Sequence, residues 1–103
     1  MLVQKEENYS KLVCKLGFDK TDLLHEIKAL KSMGENIIVD LSKFEEDPGR
    51  DLILEILEEL GKWGVILGLG DWALGYMEQE YSVLPTLSEA TDYVFMLSLE
   101  REL

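Results

Sequence analysis

Cysteine, histidine and proline are scarce in this chain of 103 residues, which contains one cysteine, one histidine and two prolines. The single cysteine, Cys14, excludes an internal disulfide, as suits a reducing cytoplasm. Its place after Leu12 and Val13 predicts a small buried side chain. With His25 alone, the chain offers too few partners for a catalytic triad or for most histidine-based zinc sites. We therefore expect no metal, no cofactor and no enzymatic activity.

Positive charge is also in short supply, because 10 Lys and Arg stand against 21 Asp and Glu and the formal net charge is −11. A surface this negative repels nucleic acids and anionic lipids. No apolar run approaches the roughly 18 residues that cross a bilayer. The first ten residues include Lys5, Glu6 and Glu7 and do not resemble a secretory signal. We expect a cytoplasmic protein that binds another protein, and neither nucleic acid nor membrane.

Apolar residues make up 47% of the chain, which is enough for the packed core of one domain spanning residues 1–103. Residues 2–5 and 9–16 are predicted to form a strand hairpin, after which helices and strands alternate. The predicted helices are 20–33, 48–60, 72–77 and 87–103, and the predicted strands between them are 36–41, 63–68 and 81–84.

Four polar residues are predicted to cap the helices at their N-termini: Asp19, Asp47, Asp71 and Thr86. Pro48 would then take the first helical position, where its missing N–H costs nothing. Thr86 and Glu89 have the spacing of a capping box.

The strands 36–41 and 63–68 are apolar without alternation, which is typical of strands that are covered on both faces. A helix separates them along the chain. The pattern predicts an α/β domain with a mixed sheet, parallel in its middle and antiparallel where the N-terminal hairpin joins.

Several segments resemble a bacterial STAS domain, the anti-sigma-factor antagonist family, in both order and spacing. They are the strand Ile-Ile-Val-Asp-Leu-Ser at 37–42, a short acidic loop, a helix opening near residue 50, the strand Gly-Val-Ile-Leu-Gly-Leu at 64–69 and the segment 83–90. The ending, with residues 92–96 and 99–103, is similar to one subgroup of small stand-alone STAS proteins. The resemblance spans nearly the whole chain. It implies an α/β, STAS-like mixed sheet with helices packed mainly on one face.

The resemblance also implies a protein-binding role. In the family, the loop before the second main helix carries an Asp-Ser-Ser-Gly-like motif, and phosphorylation of one serine by a partner kinase decides whether the domain binds. Counted without gaps, this motif falls on residues 48–51, so the phospho-acceptor position holds Gly49 or Arg50 and has no hydroxyl. We expect an interaction module without a phosphorylation switch, whose partner is an anti-sigma factor, a kinase-like protein or another signalling protein. The expected partner-binding residues are Pro48, Gly49, Arg50, Asp51 and Leu52.

One loop departs from the family pattern. The loop after the second strand is usually longer than the three residues 17–19 found here. The surface that relatives form at this place is therefore not carried over.

A small-molecule (nucleotide or lipid) binding module of STAS-like fold is the alternative. Residues 68–73 match the pattern G-x-G-x-x-A after a strand, as in dinucleotide sites, with Gly68, Gly70 and Trp72 as the lining. However, Asp71 stands where a pyrophosphate needs bare amides, and the helix that follows is short. A glycine turn that lets strand and helix pack closely is the simpler interpretation.

The last helix has two apolar stripes. Leu87, Ala90, Val94 and Leu97 are predicted to face the core. Phe95, Leu99 and Leu103 form a second stripe, and one helix on a small sheet rarely buries two faces. A wide core face or a frayed C-terminus is the simpler interpretation of this second stripe, and a partner site or a homodimer contact is the alternative.

Overall fold

The computed structural model describes residues 1–102 as one mixed sheet with four helices. The strands are β1 (Leu2–Lys5), β2 (Ser10–Val13), β3 (Ile37–Asp40), β4 (Gly64–Leu67) and β5 (Val83–Leu84). The helices are α1 (Lys20–Ser32), α2 (Arg50–Leu60), α3 (Asp71–Glu78) and α4 (Leu87–Glu102). A 3₁₀ turn, Gly61–Trp63, joins α2 to β4. β2 is shorter than the predicted strand 9–16.

The strands lie in the order β1-β2-β3-β4-β5. β1 pairs with β2 in antiparallel fashion, and every later pairing is parallel. The predicted α/β domain with a mixed sheet is confirmed. Because β2 to β5 run in the same direction, the loops that follow them meet at one edge of the sheet, which we call the carboxyl edge.

The sheet is covered on both faces, but unequally. Helices α1, α2 and α3 contribute to the larger core, which contains Leu12, Val39 and Ile66 from the sheet. Helix α4 covers the other face, where Ala90 and Val94 pack on a smaller core. All four residues of β3 and of β4 are buried, as their unbroken apolar sequence predicted.

Helix α1 begins and packs as its sequence predicts. The carboxylate of Asp19 accepts hydrogen bonds from the backbone N–H groups of Thr21 and Asp22, at 2.8 and 3.3 Å. These bonds satisfy two of the donors that a helix leaves unpaired at its start. The predicted stripe on the inner face is buried and consists of Leu23, Ile27 and Leu30.

Two of the predicted N-caps are wrong. Helix α2 begins at Arg50 with Gly49 as its N-cap, so Pro48 precedes the helix. The carboxylate of Asp47 accepts instead from the backbone N–H of Gly49, two residues on, at 2.9 Å. Gly49 itself adopts a φ of +116°, a backbone conformation that residues with a side chain disfavour. Asp71 is likewise the first residue of α3, because the N-cap is the preceding glycine.

Helix α4 begins as predicted, with the Thr86 hydroxyl accepting from the backbone N–H of Glu89 at 3.1 Å. Its buried stripe is narrower than predicted, because Leu87 at the first position is 40% exposed. In the second stripe, Phe95 and Leu99 are exposed, and Leu103 lies outside the described residues. Within residues 1–102, no helix is long and apolar enough to cross a bilayer.

Candidate functional site

The loop between β3 and α2, residues 41–49, lies at the carboxyl edge, where open α/β sheets bind their ligands. Leu41 is fully buried and Phe44 is 9% exposed, so both anchor the loop to the larger core. The ring of Phe44 meets that of Phe18 edge to face, with centroids 5.9 Å apart. Glu45 and Glu46 are exposed. The loop therefore presents carboxylates to solvent from a backbone that the core holds in place.

Two residues of α3 hold this loop from its other side, and we call Trp72 and Tyr76 the loop clamp. The indole N–H of Trp72 donates to the carbonyl of Phe44 at 3.0 Å. The hydroxyl of Tyr76 donates to both carboxylate oxygens of Asp47, at 2.9 and 3.0 Å. Trp72 and Tyr76 are four residues apart and so share one face of the helix. Burial, together with the hydrogen bond to Asp47 and its charge, raises the pKa of Tyr76 to about 12.

Arg50, the first residue of α2, is held by two more polar contacts. Its Nη1 donates to Oε1 of Gln79 at 3.0 Å, and its Nη2 donates to the hydroxyl of Tyr81 at 2.8 Å. The guanidinium carbon also lies 5.4 Å from the centre of the Tyr81 ring, within the range of a cation–π contact. The side chain is exposed, yet its charge occupies a defined place beside the segment that enters β5.

The five predicted partner-binding residues form one continuous turn at the carboxyl edge. Pro48 and Gly49, which precede α2, are half-buried. Asp51 is exposed in the first turn of α2, where the helix dipole stabilises a negative charge. Leu52 is half-buried and packs against the larger core. Arg50 and Asp51 are thus the members of this set that reach furthest into solvent.

An open cavity of about 540 Å³ adjoins the same loop. Leu16, from the loop between β2 and α1, forms one side of it and is 75% exposed. The charged groups of its lining are Lys43 and the three consecutive carboxylates of residues 45–47. Such a lining attracts cations and repels phosphate. Sequence reasoning missed this cavity, because it assigned Leu16 to the predicted strand 9–16, whereas β2 ends at Val13 and leaves Leu16 in the loop.

The residues expected to line a nucleotide or lipid site are close together. A Cβ placed on Gly68 would lie 2.6 Å from an atom of the Trp72 ring, so the ring packs directly on the bare backbone. Gly70 has a φ of +103° and forms the N-cap of α3. Gly68 thus allows the close contact with Trp72, and Gly70 allows the turn that starts α3. The indole of Trp72 occupies the space above Gly68.

Reactive side chains lie away from this edge or are buried. Cys14 has no exposed surface, and burial raises the pKa of its thiol to about 12. A thiol that stays protonated and inaccessible is a poor nucleophile. His25 is exposed on α1. Among residues 1–102, no three or more His, Cys, Asp or Glu side chains are arranged to hold a metal ion.

Sequence reasoning identified the loop but missed the residues that hold it. Trp72 and Tyr76 carried a signal, since two aromatic residues with polar tips stand at helical spacing. Gln79 and Tyr81 carried no such signal, because their contacts with Arg50 span 29 and 31 residues.

Compared with known proteins, the chain matches no family model, no curated protein and no solved structure.

Proposed function

We propose that this chain is a non-enzymatic protein-interaction module of the STAS type that works in the cytoplasm without a serine phosphorylation switch. Its partner surface is the turn from Pro48 to Leu52. The observation that carries the proposal is the position of Arg50, which opens α2 and is held there by Gln79 and Tyr81. The mixed sheet, with three helices on one face, is compatible with the resemblance on which the proposal rests.

The charge at this turn cannot be changed by a protein kinase. A phosphoserine would bring about −1.5 to −2 charges to the start of α2. Arg50 instead places a guanidinium there, which a kinase does not modify. The exposed carboxylates of Glu45, Glu46 and Asp51 surround the turn and oppose the approach of ATP.

The loop clamp favours binding because it orders the surface beforehand. Ordering a loop on association costs free energy, and a pre-ordered loop avoids that cost. Trp72 and Tyr76 hold the loop at Phe44 and Asp47, so its backbone is already in place. The exposed carboxylates and the exposed Leu16 favour a partner that presents basic and apolar side chains together. An anti-sigma factor, a kinase-like protein or another signalling protein is the kind of partner that we propose.

A charge-reversal experiment tests the surface. Tagged wild-type protein, Arg50→Glu and Lys62→Glu would each be used to recover partners from the native cell extract. Lys62 is the matched control, because it is exposed in the turn that follows the far end of α2. We expect Arg50→Glu to lose partners that wild type and Lys62→Glu both retain. Equal recovery by all three proteins would count against the turn as the docking surface.

The absent switch is tested separately with candidate kinases and ATP. Wild type should take up no phosphate on residues 41–52, whereas Arg50→Ser restores a hydroxyl at the start of α2 and serves as the receptive control. Stoichiometric phosphate on this segment of the wild type would contradict the proposal.

A small-molecule binding module is the second candidate, and the cavity of about 540 Å³ favours it, because ligand pockets usually measure roughly 300–1,000 Å³. Its carboxylates make a nucleotide the less suitable ligand and leave a lipid or an amine as the better one. Thermal-shift screening separates the two candidates. An amine or an uncharged lipid that raises the Tm by several degrees would support this second function, and so would a nucleotide or a fatty acid, although both of these are anions.

A further inference from the structure

A second groove runs over the free edge of the sheet at β5, between α3 on one face and α4 on the other. It encloses about 450 Å³, and we call it the edge groove. No residue of this groove belongs to the β3–α2 loop or to α2, so it is separate from the proposed partner surface. The lining consists of Met77, Leu84, Glu89, Asp92, Tyr93 and Met96.

The floor of the edge groove is apolar and partly open to solvent. Met96 is 44% exposed, and Met77, Leu84 and Tyr93 are half-buried. Elsewhere on α4, Phe95 and Leu99 are also exposed, at 62% and 49%. Methionine is unbranched and flexible, and surfaces that contain it adapt to the side chains of different partners.

The charges at the edge groove are all of one sign. Glu89 and Asp92 are exposed carboxylates, and no cation is among the lining residues. Arg101, which is the only cation of α4, is engaged elsewhere. Its guanidinium lies 4.0 Å from the centre of the Trp63 ring and donates to the carbonyl of Lys62 and to the side chain of Asn36. The apolar floor therefore has a negative rim that the protein itself does not neutralise.

We propose that the edge groove binds an amphipathic helix of a partner protein, one whose apolar stripe is flanked by Lys and Arg. The apolar stripe would cover Met77, Leu84 and Met96, and the flanking cations would face Glu89 and Asp92. Helices dock in this way into apolar grooves with adaptable linings. A second copy of this chain is a poor occupant, because it would bring carboxylates against carboxylates on a molecule of net charge −11.

A model peptide tests this proposal without knowledge of the natural partner. The probe is a fluorescein-labelled helical peptide of Leu-Lys-Lys-Leu repeats, and its control is the same peptide with Glu in place of Lys. Binding would be followed by fluorescence anisotropy at two salt concentrations. We expect the cationic peptide to bind more weakly at high salt, since screening reduces attraction to the rim, and the acidic peptide not to bind.

Variants then locate the binding. We expect Met96→Gln to lower the affinity for the cationic peptide about tenfold, because one apolar contact with the peptide is lost. The double variant Glu89→Gln/Asp92→Asn should also lower the affinity for this peptide, and its affinity should depend less on the salt concentration. Met33→Gln and Glu58→Gln are matched controls, because both residues are exposed far from the edge groove and should leave affinity unchanged.

Three results would overturn the proposal. The first is no binding of the cationic peptide, and the second is equal binding by Met96→Gln and Met33→Gln. The third is a dimer, seen by sedimentation, that Met96→Gln abolishes, because the occupant would then be a second copy. Circular dichroism of each variant shows whether a loss of binding reflects a loss of fold.

Discussion

The guanidinium of Arg50 and the hydroxyl of Tyr81 are joined by a hydrogen bond of 2.8 Å across 31 residues of sequence. The same guanidinium also reaches Gln79, so the first residue of α2 is tied to the segment between α3 and β5. Arg50 is therefore both the most distinctive residue of the proposed partner surface and a link between two parts of the fold. These two roles have different experimental signatures.

The link between Arg50 and Tyr81 should be measurable as a coupling energy. In a double-mutant cycle of Arg50→Ala and Tyr81→Phe, we expect about 0.5–1 kcal/mol of coupling in urea unfolding, a small value because the pair is solvent-exposed. Tyr93→Phe serves as the control and should change the free energy of unfolding by less than about 0.5 kcal/mol. Strict additivity of the two changes would show that the bond does not form in solution.

Alkaline pH should weaken the fold through Tyr76. Its pKa rises from 10.0 to about 12 in the folded chain. Between these two values the unfolded chain loses the phenol proton while the folded chain keeps it, so the free energy of unfolding falls as the pH rises. Tyr76→Phe should show a shallower decline over this range in urea titrations. The same slope in both proteins would contradict the raised pKa of Tyr76, to which burial contributes most and the hydrogen bond to Asp47 next.

Cys14 should be unreactive until the chain unfolds. Its thiol has no exposed surface. The pKa of the thiol is raised from 9.0 to about 12, and burial is the main cause. Since the thiolate is the reactive form, iodoacetamide should modify the native protein very slowly at neutral pH and the urea-unfolded protein readily. Mass spectrometry of the two samples measures this difference. Rapid modification under native conditions would mean that the core around Cys14 opens.

Three glycines should respond to alanine in different ways. A Cβ on Gly64 would lie 2.1 Å from the carbonyl oxygen of Ile37, and one on Gly68 would lie 2.6 Å from the Trp72 ring. We expect Gly68→Ala to cost about 1–3 kcal/mol, because the ring must move, and Gly64→Ala to cost more, because backbone must move. Gly75 is the control: nothing lies within 4 Å of its Cβ position in α3, so alanine should stabilise by about 0.5–1 kcal/mol.

Thermal unfolding of the three variants and the wild type measures these differences. A Gly68→Ala protein as stable as the wild type would show that Trp72 does not pack on that glycine. The indole that donates to the Phe44 carbonyl would then lie in a different position.

Local features of the fold were predictable because they depend on neighbours in sequence. The cap at Asp19 acts over two and three residues, and the stripe through Leu23, Ile27 and Leu30 follows from helical periodicity. The buried strands β3 and β4 were predictable because a run of apolar residues without alternation is stable only with cover on both faces. The mixed sheet followed from the order of these elements.

The start of α2 was not predictable from the same rules. Asp47 and Pro48 form a good capping pair in sequence, yet the Asp47 carboxylate bonds the amide of Gly49 and the hydroxyl of Tyr76. A contact with a residue 29 positions later thus competes with a local cap and prevails. Helical periodicity likewise places Leu87 on the stripe of Ala90 and Val94, yet as the first residue of α4 it is 40% exposed.

The sequence alone determined the elements, their order, the acidic charge and the absence of a hydroxyl at residues 48–51, since each of these is a property of composition or of short-range spacing. Only the tertiary structure decided which side chains Arg50 and Asp47 contact and where the apolar surface of α4 remains open. These contacts join residues about 30 positions apart, and their geometry exists only once the sheet has brought α2, α3 and β5 together.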